Sequence, residues 1–100
     1  MIVTIFRSRL RPEHAAEYAP VAARMDALAR TMPGFLSVKI FTAADGERVT
    51  IVEFEDEVTQ RAWREHPEHR EAQRLGRERF YETFRIQVCH VERAHDFRHA

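Results

Sequence analysis

The sequence predicts an α+β domain in which helices cover one face of a four-stranded antiparallel sheet. Three observations carry this reading. Apolar residues switch between two-residue and three-to-four-residue spacing in the order strand, helix, strand, strand, helix, strand; Asp45-Gly46 sits between the two middle strands as a hairpin turn; and no glycine-rich phosphate loop follows the first strand. One hundred residues, 44% hydrophobic and 32% charged with three glycines and four prolines, are the composition of a globular chain. A single domain is expected at residues 1–94, with an irregular tail at 95–100.

From Ile2 to Leu10 the chain is at first β-branched or aromatic, with Ile2, Phe6 and Leu10 on one face and Val3 and Ile5 on the other. Pro12 then suits the first turn of a helix whose buried stripe is Tyr18, Val21, Ala22, Met25, Leu28, Ala29 and Met32. Pro20 removes an amide donor from that pattern, so a kink or a fresh start near Ala19 is expected, and Pro33-Gly34 ends the element. Between Phe35 and Ala43, Leu36, Val38 and Ile40 oppose Phe35, Ser37 and Phe41. In the returning strand Val49 and Ile51 oppose Val52 and Phe54.

Asp56 to His66 reads as a short helix carrying Val58, Ala62 and Trp63. It is interrupted at His66-Pro67, because the residue before a proline is driven out of the helical region. A second piece from Pro67 carries Ala72, Leu75 and Gly76, and a last strand sets Phe84, Ile86 and Val88 against Cys89 and Val91. This βαββαβ order is the ferredoxin-like split unit, which leaves one sheet face bare. Ser37, Lys39 and Phe41 on one strand, and Arg85, Gln87 and Cys89 on another, make that face neither core nor solvent surface. A chain of this size buries only about two-thirds of the surface its unfolded form exposes. A homodimer that shares the bare face is therefore expected.

Sixteen basic residues balance sixteen acidic ones. Arg70, Arg74, Arg77 and Arg79 are interleaved with Glu68, Glu71 and Glu78, which is a solvated helix face and no footprint for nucleic acid. Cys89 is the only cysteine, so no internal disulfide forms and a reducing, cytoplasmic setting is expected. The N-terminus lacks the basic region of a signal peptide, and no apolar run approaches the ~20 residues of a membrane helix. No membrane partner is expected.

The run Trp63-Arg64-Glu65-His66-Pro67-Glu68-His69, then Ala72-Gln73, Gly76-Arg77 and Phe80-Tyr81, resembles the antibiotic biosynthesis monooxygenase family of dimeric α+β barrel proteins. Leu10-Arg11-Pro12 and Met32-Pro33-Gly34-Phe35 fit the same pattern, so the resemblance spans essentially the whole chain. It implies a homodimer of ferredoxin-like subunits. The family includes cofactor-free oxygenases of polyketide quinones, haem-degrading enzymes, quinol-directed oxygenases and members without known activity.

The residues lack a dinucleotide fingerprint, a P-loop, a zinc-protease helix, a nucleophile elbow and paired cysteines. A cofactor-independent monooxygenase needs less: a dry pocket for a small aromatic or quinol-like compound, a base, and room for O₂. Trp63 is a candidate catalytic residue, its ring able to wall off water and stack on a flat substrate, although a lone tryptophan also serves as a core anchor. His69 is the second, an imidazole able to take a phenolic proton. By the resemblance, His69 occupies the place of a tyrosine in the quinone-forming oxygenases, and Thr59 that of an asparagine. Gln73 occupies the place of the axial histidine of the haem-degrading branch, and Ser8 approximately that of its first-strand asparagine. Ser8, Thr59, His66, Gln73 and Tyr81 are thus the candidate substrate-binding residues, with no metal site and no cofactor. His66 with His69 is a weak ligand pair because Pro67 separates them. Cys89 and His90, as strand neighbours, point to opposite faces, and Cys89 reads as a small interior side chain. Gly76 marks a close approach or a pocket wall. Two other readings are a non-catalytic dimeric module that binds a small apolar ligand or answers stress, and an atypical haem-binding or haem-degrading protein.

Overall fold

The structure, a computed structural model, describes all 100 residues. Strand β1 (Ile2–Leu10) is followed by a 3-10 turn at Pro12–His14 and helix α1 (Ala15–Ala29). Strands β2 (Phe35–Thr42) and β3 (Arg48–Phe54) form a hairpin. Helices α2 (Glu57–Arg64) and α3 (Pro67–Leu75), a wide helical turn at Gly76–Phe80 and strand β4 (Tyr81–His90) complete the chain. The strand order is β2-β3-β1-β4, all neighbours antiparallel, as the ferredoxin-like unit requires.

The pairing register sorts side chains into two faces, since directly opposite residues share a face and successive ones alternate. Ile2 lies opposite Phe54 and His90, and Ser8 opposite Arg48 and Phe84. Phe54 is fully buried and clusters with Ala29 and Trp63, so the face that carries Ile2, Phe6, Ser8, Val52 and Phe54 is the one the helices cover. Met25, Leu28, Met32 and Phe35 pack around that cluster, which places the predicted α1 stripe against the sheet.

Three details differ from expectation. Helix α1 continues across Pro20, so of the two expected outcomes, a kink or a fresh start near Ala19, the fresh start does not occur. An irregularity between Phe35 and Ser37 turns the Phe35 ring onto Phe54, at 5.8 Å, and leaves Leu36 exposed, the reverse of simple alternation. Val58, which the helical pattern suggested was an inward residue, is 73% exposed, and α2 buries Gln60 and Trp63 instead.

The ends of the elements have local causes. The Asp56 carboxylate accepts from the Thr59 amide at 2.8 Å and the Thr59 hydroxyl accepts from the Asp56 amide at 3.4 Å, a reciprocal capping box that starts α2. Gly34 has φ of 78°, in the left-handed region, and a Cβ there would lie 2.5 Å from the Thr59 side chain, so glycine is required on both counts. The hairpin turns at Gly46, φ 91°, with Glu47 N–H donating to the Asp45 carboxylate. Residues after His90 form neither helix nor strand.

The other sheet face is bare. Across it run Lys39, Ile51, Ile5 and Gln87 in one row and Ser37, Glu53, Val3 and Cys89 in the next. Cys89 therefore stands half-buried on the uncovered face and not in the core. In the C-terminal helices Arg74 pairs with Glu71 and Glu78, and across elements Arg79 pairs with Glu17 and Arg24 of α1 with Glu68. No helix is long and apolar enough to cross a membrane.

Candidate functional site

Trp63 and His69 meet on the helix side of the sheet. Trp63, on the last turn of α2, is only 7% exposed and anchors the core with Ala29 and Phe54. The break at His66-Pro67 folds α3 back so that the His69 ring lies parallel to the indole, centroids 4.1 Å apart and planes 11° apart. The indole thus stacks on an imidazole of its own chain and fixes the plane in which that ring lies.

His69 Nδ1 lies 3.1 Å from the Trp63 carbonyl oxygen. A carbonyl only accepts, so Nδ1 carries the proton and donates, which leaves Nε2 as the basic nitrogen of a neutral ring. Burial holds the His69 pKa below the ordinary imidazole value, with nearby His66 acting the same way and the Trp63 carbonyl opposing it. Nε2 makes no hydrogen bond to the protein. The result is a neutral, oriented imidazole with a free lone pair, the form a general base needs.

The remaining candidates divide into three groups. His66 caps α3, its Nδ1 accepting from the Glu68 amide at 3.1 Å, with its ring centroid 6.3 Å from that of Trp63. Thr59 spends its hydroxyl on the Asp56 cap, and Gln73 donates through Nε2 to the Arg64 carbonyl at 3.4 Å, so both side chains serve local structure. Ser8 and Tyr81 stand apart from the Trp63–His69 pair. Ser8 is six residues along β1 from Ile2, the partner of Phe54, or about 20 Å.

Tyr81 packs edge-on against Phe6, at 5.2 Å, and lies 5.9 Å from both Tyr18 and Phe84. A Cβ on Gly76 would come within 2.6 Å of the Tyr81 ring, which explains the helical glycine as a close approach to this aromatic cluster. Burial, with Tyr18 beside it, raises the Tyr81 pKa well above the ordinary phenol value and keeps the phenol protonated. Arg48, opposite Ser8, lies with its guanidinium 5.1 Å above the Tyr18 ring. Neither Arg48 nor Tyr18 was singled out for chemistry from sequence. The available signal was parity: Arg48 has the same strand parity as Val52 and Phe54 and so is a cation on the covered face.

Helices do not cover all of that face. Phe84, Ile86 and Val88 of β4 share it through their partners Ser8, Phe6 and Thr4, yet remain 43–50% exposed. They form an apolar stripe about 14 Å long, at about 3.4 Å per residue. A separate groove of about 340 Å³ lies between α1 and α3, lined by Val21, Met25, Ala72 and Leu75.

The sequence profile of the family "Antibiotic biosynthesis monooxygenase" matches residues 1–75. An uncharacterized protein of Bacillus subtilis, YqjZ, is 35% identical over 86 residues, covering 86% of this chain and 75% of the relative. Among solved structures, Rv0793 from Mycobacterium tuberculosis superposes with a TM-score of 0.83 at 18% identity, over 95% of this chain and 98% of that one. SnoaB, a cofactor-independent oxygenase from Streptomyces nogalater, superposes with a TM-score of 0.75 at 20% identity, over 93% and 94%. At those identities the structures establish the shared fold, while the profile and the 35% identical relative establish kinship. The chain belongs to the antibiotic biosynthesis monooxygenase family.

Proposed function

We propose that this protein is a cofactor-independent monooxygenase of a small aromatic or quinol-like compound, working as a homodimer, with His69 as the general base and Trp63 holding it in place. The observation that carries the reading is the His69 imidazole, fixed as its Nδ1–H tautomer by the Trp63 carbonyl and stacked on the indole, with Nε2 free. Family membership supports the reaction class, and SnoaB shows that a protein of this fold performs oxygenation without a cofactor.

The chemistry asks little else of the chain. Nε2 takes the proton of a phenolic hydroxyl, and the electron-rich anion so formed reduces O₂ and bonds to it through a ring carbon. Loss of water from the resulting hydroperoxide leaves a carbonyl on that carbon. One phenol and one O₂ give one quinone and one water, so the substrate supplies all four electrons and no external reductant is consumed. The exposed apolar stripe of β4 is the surface for the substrate's rings. The bare sheet face, with Val3, Ile5, Val49 and Ile51 on it, is the surface for the second copy.

The test is a panel of hydroxynaphthalenes and anthrones under ¹⁸O₂ with metal-free protein. The expected result is protein-dependent O₂ uptake equal to substrate consumed, with one labelled oxygen in the quinone. Saturable binding with no product across the panel would show a non-catalytic binding module instead.

A further inference from the structure

We propose that Arg48, with Ser8, Tyr18 and Tyr81, binds the carboxylate of an aromatic ligand whose rings lie along Phe84, Ile86 and Val88. The inference deepens the oxygenase reading by naming a substrate class, and it rests on that reading for the claim that the ligand is a substrate.

Three observations carry it. The first is the state of Arg48. Two neighbouring β1 arginines at the hairpin end of the sheet are held by carboxylates, Arg7 by Glu47, at 2.9 Å, and Arg9 by Asp45, at 2.7 Å, while Arg85, also without an ion pair, stands on the opposite, bare face. Arg48 forms no ion pair and no hydrogen bond. Its guanidinium carbon lies 5.1 Å from the centroid of the Tyr18 ring, a cation–π contact that uses none of its N–H donors. A guanidinium on the covered face of a sheet, without an acidic partner, has a fork geometry that matches a carboxylate.

The second is what surrounds it. The pairing register puts Arg48, Ser8 and Phe84 in one row across β3, β1 and β4, all on the helix side. Ser8 is 4% exposed, and its hydroxyl makes no hydrogen bond in the structure. Tyr18 and Tyr81 stand 5.9 Å apart, centroid to centroid, and Tyr81 keeps its hydroxyl proton. One cation and three hydroxyls therefore gather at one end of a face that is otherwise apolar.

The third is the stripe itself. Phe84 lies in the Arg48 row, Ile86 in the row of Phe6, and Val88 in the row of Thr4 and Val52, and Val52 packs on the cluster that contains Trp63. The stripe thus leads from the cationic end toward the core that seats the Trp63–His69 pair. Its length of about 14 Å accommodates two or three fused rings. An anion fixed at Arg48 gives a flat ligand one orientation along β4.

Calorimetric titration at pH 7 with 2-naphthoate and 2-naphthol, the same rings with and without the anion, tests this. The expected result is that the wild-type protein binds 2-naphthoate about tenfold more tightly than 2-naphthol, as one charge-assisted bidentate contact implies. Added salt should weaken only the naphthoate complex. Arg48→Gln should abolish the preference while leaving 2-naphthol affinity within twofold. Equal wild-type affinities overturn the proposal without recourse to any variant, as does a preference that survives in Arg48→Gln. Arg48-dependent naphthoate binding by a protein that turns over none of the phenols removes the oxygenase reading and leaves the carboxylate site standing, so the two failures are distinguishable.

Discussion

At the scale of single residues, the stacked Trp63–His69 pair ties the proposed base to the stability of the fold. Folding carries His69 into surroundings that disfavour its cation, so its folded pKa lies below the 6.5 of an unfolded imidazole. Its contribution to stability is fully present above that value. As pH falls from 6.5 toward the depressed folded pKa, the unfolded chain takes up a proton that the folded chain does not, and stability declines. Thermal unfolding of wild type and His69→Gln between pH 7.5 and 5 checks this: the wild-type Tm should fall more steeply, and parallel curves would remove His69 as a source of the slope. Trp63→Ala should cost about 3–5 kcal/mol, as measured by urea unfolding, because it empties the site shared with Ala29 and Phe54 as well as unseating the imidazole. The residue types of this pair were legible in the sequence. Their stacking was not, because it depends on how far the chain turns at His66-Pro67, which no periodicity encodes. The same limit hid the role of Thr59: its hydroxyl caps α2 and its side chain fills the space beside Gly34.

At the scale of elements, the order of strands and helices followed from apolar spacing and turn residues, and the departures sit where backbone irregularity overrides spacing. Phe35 faces the core because the β2–β3 register shifts between Phe35 and Ser37, a change of parity that two-residue alternation cannot register. Helix α1 runs through Pro20 because tertiary packing of Met25, Leu28 and Ala29 compensates a locally unfavourable residue. Pro20 is exposed, so Pro20→Ala should restore a donor toward Ala16 without disturbing the core and raise stability by about 1–3 kcal/mol. Unfolding midpoints for the two proteins decide the matter, and an unchanged midpoint would mean that the helix tolerates Pro20 without cost. At the start of α2 the Asp56 carboxylate is held below its ordinary pKa by the Thr59 amide and hydroxyl. Asp56→Ala should lower Tm by a few degrees at pH 7. The loss should shrink as acid protonates Asp56 in the wild type, because a depressed carboxylate stabilises above its unfolded pKa and loses that contribution as pH falls through the folded one.

At the scale of the whole molecule, the two faces of one sheet differ: one holds the helices, the Trp63–His69 pair and the open β4 stripe, and the other carries Val3, Ile5, Val49 and Ile51 uncovered, the surface proposed for a second copy. Ile5→Glu places a charge at the centre of the bare face, between Ile51 and Gln87, and should shift sedimentation from dimer to monomer while the secondary structure persists. A wild-type chain that sediments as a monomer at micromolar concentration would contradict the shared face. The central claim concerns the other side, where a neutral imidazole with a free Nε2 acts as the base that starts oxygenation. The most direct measurement is the pH dependence of kcat for O₂ uptake with one phenolic substrate, in wild type and His69→Gln. The account predicts a wild-type acidic limb below pH 6.5, set by the depressed His69 pKa, and in His69→Gln a kcat lowered about 10²–10⁴-fold with that limb gone. A variant that retains both the rate and the limb would show that the proton is taken elsewhere.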